Sequence, residues 1–199
     1  GLSLWRQSID SEAYGNIVLH VGWQGPDRGH GHSIYSQNLP GGTKSKLIAE
    51  NFLGEAFDIG VQLYGSGAAV VQDFLLTGNV IWDNGLPSGQ NVDQITIAGG
   101  GASKKNIELD TNFVYNSGST GLNRVGWQWD GRNGDLNMHG NWFVGGYDVL
   151  GVWNWDKVTF RNNFVCGDAG MRQLFVGLFQ AAGQLPSAYS WDQNRYCGG

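Results

Sequence analysis

Apolar and polar residues alternate in short runs along almost the whole chain, and the runs recur. Six segments share one template: "KLIAENFL", "FLLTGNVI", "IELDTNFV", "LNMHGNWF", "VTFRNNFV" and "YSWDQNRY". Each carries an asparagine at the same place: Asn51, Asn79, Asn112, Asn141, Asn163 and Asn194. Three residues earlier stand Ile48, Leu76, Leu109, Met138, Phe160 and Trp191, and two residues later Leu53, Ile81, Val114, Phe143, Val165 and Tyr196. Five residues before the asparagine the apolar rule holds for Phe74, Ile107, Leu136, Val158 and Tyr189, and fails only at Lys46. A period of two is that of a strand with one face inward. The asparagine then marks a bend, because its short amide tolerates unusual backbone angles and bonds the local backbone.

Between these units lies a second alternating stretch: "GVQLYG", "QITIAGG", "VGWQWDG" and "VLGVWNW". Successive asparagines are 22 to 33 residues apart, and the excess falls in Gly/Ser/Asn-rich segments such as "NGLPSGQN". Two or three short strands per unit, with turns at fixed places, predict an all-β solenoid, a parallel β-helix of about six to seven coils stacked at strand spacing. The asparagines would form a ladder inside one bend, each amide bonding its neighbours. Propeller blades need about four strands in ~40 residues, more than these units hold. Residues 1–199 read as a single domain of this kind, whole or excised from a longer β-helix. Cys166 and Cys197 each follow their asparagine by three residues. Stacking therefore places them within disulfide reach, as a bridge or as a close pair of thiols.

The alternation also sorts outward positions. Two residues before each asparagine come Ala49, Thr77, Asp110, His139, Arg161 and Asp192, a column whose charged members would pair across coils. In the second strand set, "HSIYSQ" aligns with "IGVQLY", "DQITIA" and "VGWQWD". Ile34, Val61, Ile95 and Trp127 then point inward, followed by Ser36, Leu63, Ile97 and Trp129. Outward stand Tyr35, Gln62, Thr96 and Gln128, with Gln37, Tyr64, Ala98 and Asp130 beside them, a stripe suited to a sugar chain. Arg28, His30, His32, Glu55 and Asp58 lie at one rim of it, on turns that lead into the strands. His30 and His32 at i and i+2 would share a face of an extended segment. No third ligand follows at a telling spacing, so no metal site is assigned. The glycines around them also suit a sharp turn, which gives at least one of the two histidines a structural place.

Composition narrows the function. A net charge of −5 argues against nucleic acid, and no run reaches the length of a membrane span. Only 15% of residues are charged, while nine tryptophans, seven tyrosines and nine phenylalanines accompany many asparagines and glycines. Flat rings stack on sugar faces and amides bond hydroxyls, although buried rings also fill cores. A disulfide would place the protein in an extracellular or periplasmic setting.

The Asn-anchored repeats, spanning nearly the whole chain, resemble the right-handed parallel β-helix superfamily typified by pectate lyases. The segment "RGHGHSIYSQN", with "GSG" after "VQLY", is similar to a largely uncharacterised bacterial β-helix repeat family. The resemblance implies a right-handed parallel β-helix acting on polysaccharide, first as a lyase cleaving uronic-acid polymers by β-elimination. The catalytic set would then be Arg28, His30, His32 and Asp58. Tyr35, Glu55, Gln62, Tyr64, Gln128 and Asp130 would bind substrate, and calcium is the cofactor such lyases suggest. A non-catalytic carbohydrate-binding, adhesion or self-assembling module is the alternative. "GHGHSIYS" is also similar to the Gly-His-Gly motif of polygalacturonases, which would carry over His30 and, by distance, Asp10. Upstream of His30 that family's Asn-x-Asp and Asp-Asp motifs are absent, and its Arg-x-Lys motif is missing as well. Exposed coil ends call for capping segments or a homo-oligomer, since open edges invite pairing.

Overall fold

A computed structural model describes residues 1–90, 92–99, 104–118, 122–126, 131–177 and 188–198. Three seven-stranded sheets, every neighbouring pair parallel, run the length of the molecule. The first holds Leu2–Leu4, Ile34–Ser36, Val61–Tyr64, Ile95–Ala98, Leu122–Val125, Asp148–Val152 and Gln173–Val176. One strand from each sheet makes a coil. Val61–Tyr64, Gln72–Thr77 and Val80–Trp82 form the third, and the same order recurs to Tyr189–Asp192 and Arg195–Cys197. This is a parallel β-helix, and strand twist favours the right-handed course for such crossovers.

Inward columns fill the interior. Ile48, Leu76, Leu109, Met138 and Phe160 stack in register in the second sheet, and Leu53, Ile81, Val114, Phe143 and Val165 in the third, all fully buried. Lys46, the exception to the apolar template, is inward as well. It lies opposite Phe74, is fully buried, and donates to the carbonyls of Leu4, Trp5 and Gln37 at 3.4, 3.2 and 2.6 Å. Burial lowers its pKa to about 8.

The corner between second and third sheets repeats one device. The residue before each asparagine is left-handed: Gly15, Glu50, Gly78, Thr111, Gly140, Asn162 and Gln193 have φ between 51° and 68°. That conformation turns the chain and aims the asparagine into the stack. Each Asn Nδ2 then donates to the Oδ1 of the next coil, from Asn16 through Asn51, Asn79, Asn112, Asn141 and Asn163 to Asn194, at 2.8–3.2 Å. Asn16, in "EAYGNIVL", adds a rung that the six-fold template had not included.

One strand differs from the sequence reading. In the first sheet Val125, not Trp129, lies opposite Ile97, and Arg124 lies opposite Thr96 where Gln128 was expected. The cause is Asn123, a polar residue on the inward side, buried and donating to Val149 O at 3.0 Å. It breaks the apolar alternation of "LNRV" and made "VGWQWD" look like the better strand. Trp127, Gln128, Trp129 and Asp130 lie outside the described residues. Cys166 and Cys197 are register partners on adjacent coils and form a disulfide, with Cα atoms 4.5 Å apart.

Candidate functional site

The segment 25–38 folds as a hairpin feeding a coil. Trp23–Gln24 pairs antiparallel with Gly29–His30, and the turn closes through Gly25 N–H to Arg28 O at 2.8 Å. Gly29 is obligatory by contact, since a Cβ there would sit 2.1 Å from the Phe57 carbonyl oxygen. Gly31, at φ 112°, breaks the extended run, so the two imidazoles part instead of sharing a face. His30 stacks on Trp23 at 5.0 Å and meets Asp27 at 2.9 Å, which makes it a piece of the hairpin. His32 stacks on Tyr35 at 5.8 Å, with Nδ1 3.8 Å from Asp58 Oδ2.

The cluster around His32 is layered. Outermost is the Arg28 side chain, 55% exposed, which donates to Asp58 Oδ2 at 2.8 Å. His32 is 22% exposed and the Asp58 carboxylate only 4%. Desolvation, with a smaller push from the Arg28 charge, lowers the His32 pKa against the opposing pull of Asp58. Nδ1 of His32 is buried without a hydrogen bond, so the accessible part of the ring excludes it. One coil on, the buried Asp93 carboxylate accepts from Thr96 Oγ1 at 2.5 Å and faces Arg124 at 3.4 Å. Burial pushes its pKa up to about 7; Arg124 and Thr96 oppose this, and the Asp58 charge adds to it.

Around this core the expected stripe is partly assembled. Tyr35 and Gln62 are register neighbours, both half-buried, and Gln37 donates to the Tyr35 hydroxyl at 3.0 Å. Desolvation raises the Tyr35 pKa, so its phenol is protonated at neutral pH. Tyr64 follows two positions beyond Gln62. Thr96 and Ala98, expected to face solvent, are both buried, and the Thr96 hydroxyl turns to Asp93. Glu55 belongs to a different corner: at φ 55° it leaves the third sheet and pairs with His20 at 3.0 Å. Asp10 accepts from the Thr43 and Lys44 backbone and the Thr43 hydroxyl, whereas the partners of His30 are Asp27 and Trp23. Elsewhere, the outward column pairs His139 with Asp110 at 2.9 Å, while Arg161 bonds Ser190.

Sequence reasoning missed Asp93 and Arg124, and also the exposed rings of Trp5, 5.4 Å from Tyr35, and Trp23. A signal for Asp93 existed: aspartates precede the first-sheet strands at Asp58 and Asp93 by three and two residues. Among the described residues no three His, Cys, Asp or Glu side chains converge as a metal-ligand set. Asp58 and Asp93 are each faced by an arginine, a donor set unsuited to calcium, which takes six to eight oxygens. No family model, curated protein or solved structure matches this chain.

Proposed function

We propose that this β-helix acts on polysaccharide outside the cytoplasm, as a lyase that cleaves uronic-acid chains by β-elimination in the manner of the pectate-lyase-like superfamily. The observation that carries the reading is the cluster at the first sheet in which Asp58 Oδ2 meets the Arg28 guanidinium at 2.8 Å and His32 Nδ1 at 3.8 Å, with desolvation lowering the imidazole pKa. Nε2, the ring nitrogen not turned to Asp58, would take the proton from the carbon beside the substrate carboxylate. Arg28 would pair with that carboxylate, making the carbon more acidic, and Asp58 positions both groups. As the carbon–carbon double bond forms, the glycosidic C–O bond breaks and the leaving oxygen takes the Tyr35 phenol proton, later restored from water. Exposed Trp5, beside Tyr35, and Trp23, beside His30, offer stacking surfaces. Hydrolysis needs two carboxylates flanking the scissile bond. Asp58 and Asp93 are both buried behind arginines, which favours elimination. The disulfide fits an extracellular or periplasmic protein, and among the described residues no helix is long and apolar enough to cross a membrane.

The test is turnover of pectate, alginate and glycosaminoglycans, following unsaturated-product absorbance and reducing ends together. His32→Ala should lower the rate by about 10²–10⁴-fold, the range for losing a general base. Because the imidazole pKa is depressed, activity should be level at neutral pH and fall only in acid, as His32 gains a proton. Reducing ends without absorbance would replace the lyase by a hydrolase. Silence from the folded wild type across the panel would leave a carbohydrate-binding or structural module.

A further inference from the structure

The third sheet turns an unusual face outward. The residue after each corner asparagine points to solvent, and in register these include Phe52, Phe113, Trp142 and Phe164. Phe52, Phe113 and Trp142 are 51%, 40% and 50% exposed. Rings that large, repeated on one column and open to solvent, lie outside the core and form an exposed apolar patch of the kind that marks interaction surfaces. The spacing is that of the coils: Phe113 to Trp142 is 6.2 Å between centroids and Trp142 to Phe164 is 4.8 Å.

The column ends in a cavity. Trp142 and Phe164 line a space of about 290 Å³ with Asn162, Asn163, Gln193 and Arg195. Arg195 is the next rung after Phe164 and the single charged residue of the lining. Asn162 and Gln193 are the left-handed corner residues of adjacent coils, at φ 55° and 56°, and that geometry brings their side chains to the cavity mouth. Among the described residues, the side-chain amides of Asn162 and Gln193 make no hydrogen bond and Arg195 has no carboxylate partner.

We propose that this cavity and the aromatic column leading to it form a second glycan-binding site, separate from the first-sheet cluster, that takes a carboxylate-bearing sugar over Trp142 and Phe164. Aromatic faces take the apolar side of a pyranose, free amides take its hydroxyls, and a guanidinium fork takes a carboxylate bidentately. A chain running along the coil axis then meets Phe113, Trp142 and Phe164 on successive rungs, Val80 separating them from Phe52. A second copy of this protein is the weaker occupant, because a sheet face laid flat on the column would bury Arg195 and two free amides without partners. The site does not depend on the lyase reading, since it lies on a different sheet and needs no turnover.

Calorimetric titration of a galacturonate trisaccharide and of a neutral xylose trisaccharide tests it, in the His32→Ala background so that nothing is cleaved. Trp142→Ala should weaken both ligands at least about tenfold, and Arg195→Gln should weaken only the acidic one by a similar factor. Arg195→Gln removes no packed ring, so it decides the question even if Trp142→Ala unfolds. In otherwise wild-type protein, both variants should cleave short soluble substrate at the parental rate if the first-sheet lyase reading holds. Absence of binding by the parent, or unchanged affinity in Arg195→Gln for the acidic ligand, overturns the proposal. Loss of a dimer on sedimentation of Trp142→Ala, with sugar affinity unaltered, assigns the face to self-association instead.

Discussion

Burial holds the Asp93 carboxyl at about 7, and the nearby Asp58 charge pushes in the same direction. An unfolded chain releases that proton near pH 3.9. Between those values the folded protein therefore binds a proton that the unfolded one does not, and stability falls as pH rises through the window. His32 acts with the opposite sign, because its lowered pKa means folding expels a proton, so stability is lost as pH falls through its range. Comparing wild type with Asp93→Asn isolates the first effect. The amide still accepts from Thr96 and does not titrate, so the variant has neither the Asp93 proton nor the charge that its loss presents to Arg124 at any pH. Denaturant melts at pH 4.5 and 7.5 should show the wild type losing at least about 1 kcal/mol relative to the variant across that interval. Equal pH slopes would mean that Asp93 is ionised throughout, and that Arg124 outweighs desolvation.

At the scale of the strand and corner, the asparagine ladder does two jobs that an apolar residue cannot. Asn112 accepts from both the backbone and the side chain of Asn79 while donating to Leu76 O and Asn141 Oδ1. Asn112→Ala leaves the buried Asn79 N–H groups without their acceptor and should cost about 2–4 kcal/mol. Asn16 is the end rung and half exposed, donating to Asn51 and to Tyr14 O, so Asn16→Ala should cost about 1 kcal/mol or less. Chemical denaturation of the two variants checks the contrast. This regularity is why the fold could be read from sequence: the same amide and apolar positions return in every coil. The site was legible only in part, for a related reason. Arg28, His32, Asp58 and Tyr35 lie around one recognisable hairpin, and the structure brings them together. Arg124 comes from a strand that carries Asn123 inward, and periodicity is blind to an inward amide, while Asp93 lies in the turn before its strand, outside any alternation. Gln128 and Asp130 were placed by the misread strand that Asn123 produced. The separation of His30 from His32 turns on one glycine φ angle, which alternation does not encode.

In the whole molecule, each coil touches mainly the coils beside it, so stability should sum over neighbouring rungs and not act as one block. The disulfide tests that directly. It joins Cys166 to Cys197 on adjacent coils across a sequence separation of 31, and a loop of that size stabilises by roughly 3–4 kcal/mol. In a solenoid this stabilisation belongs to the final coil. Replacing both cysteines by serine should therefore speed amide exchange in Tyr189–Asp192 and Arg195–Cys197, while Ile95–Ala98 keeps its protection. Uniform loss of protection would show instead that the coils unfold as a single unit. The same bond ties the strand that carries Arg195 to the strand that carries Phe164, the two sides of the third-sheet cavity. Its removal should thus weaken binding of the acidic trisaccharide there, without changing the turnover assigned to His32 on the first sheet. A parallel loss of both would mean that the two faces communicate through the core, which nearest-neighbour stacking does not provide.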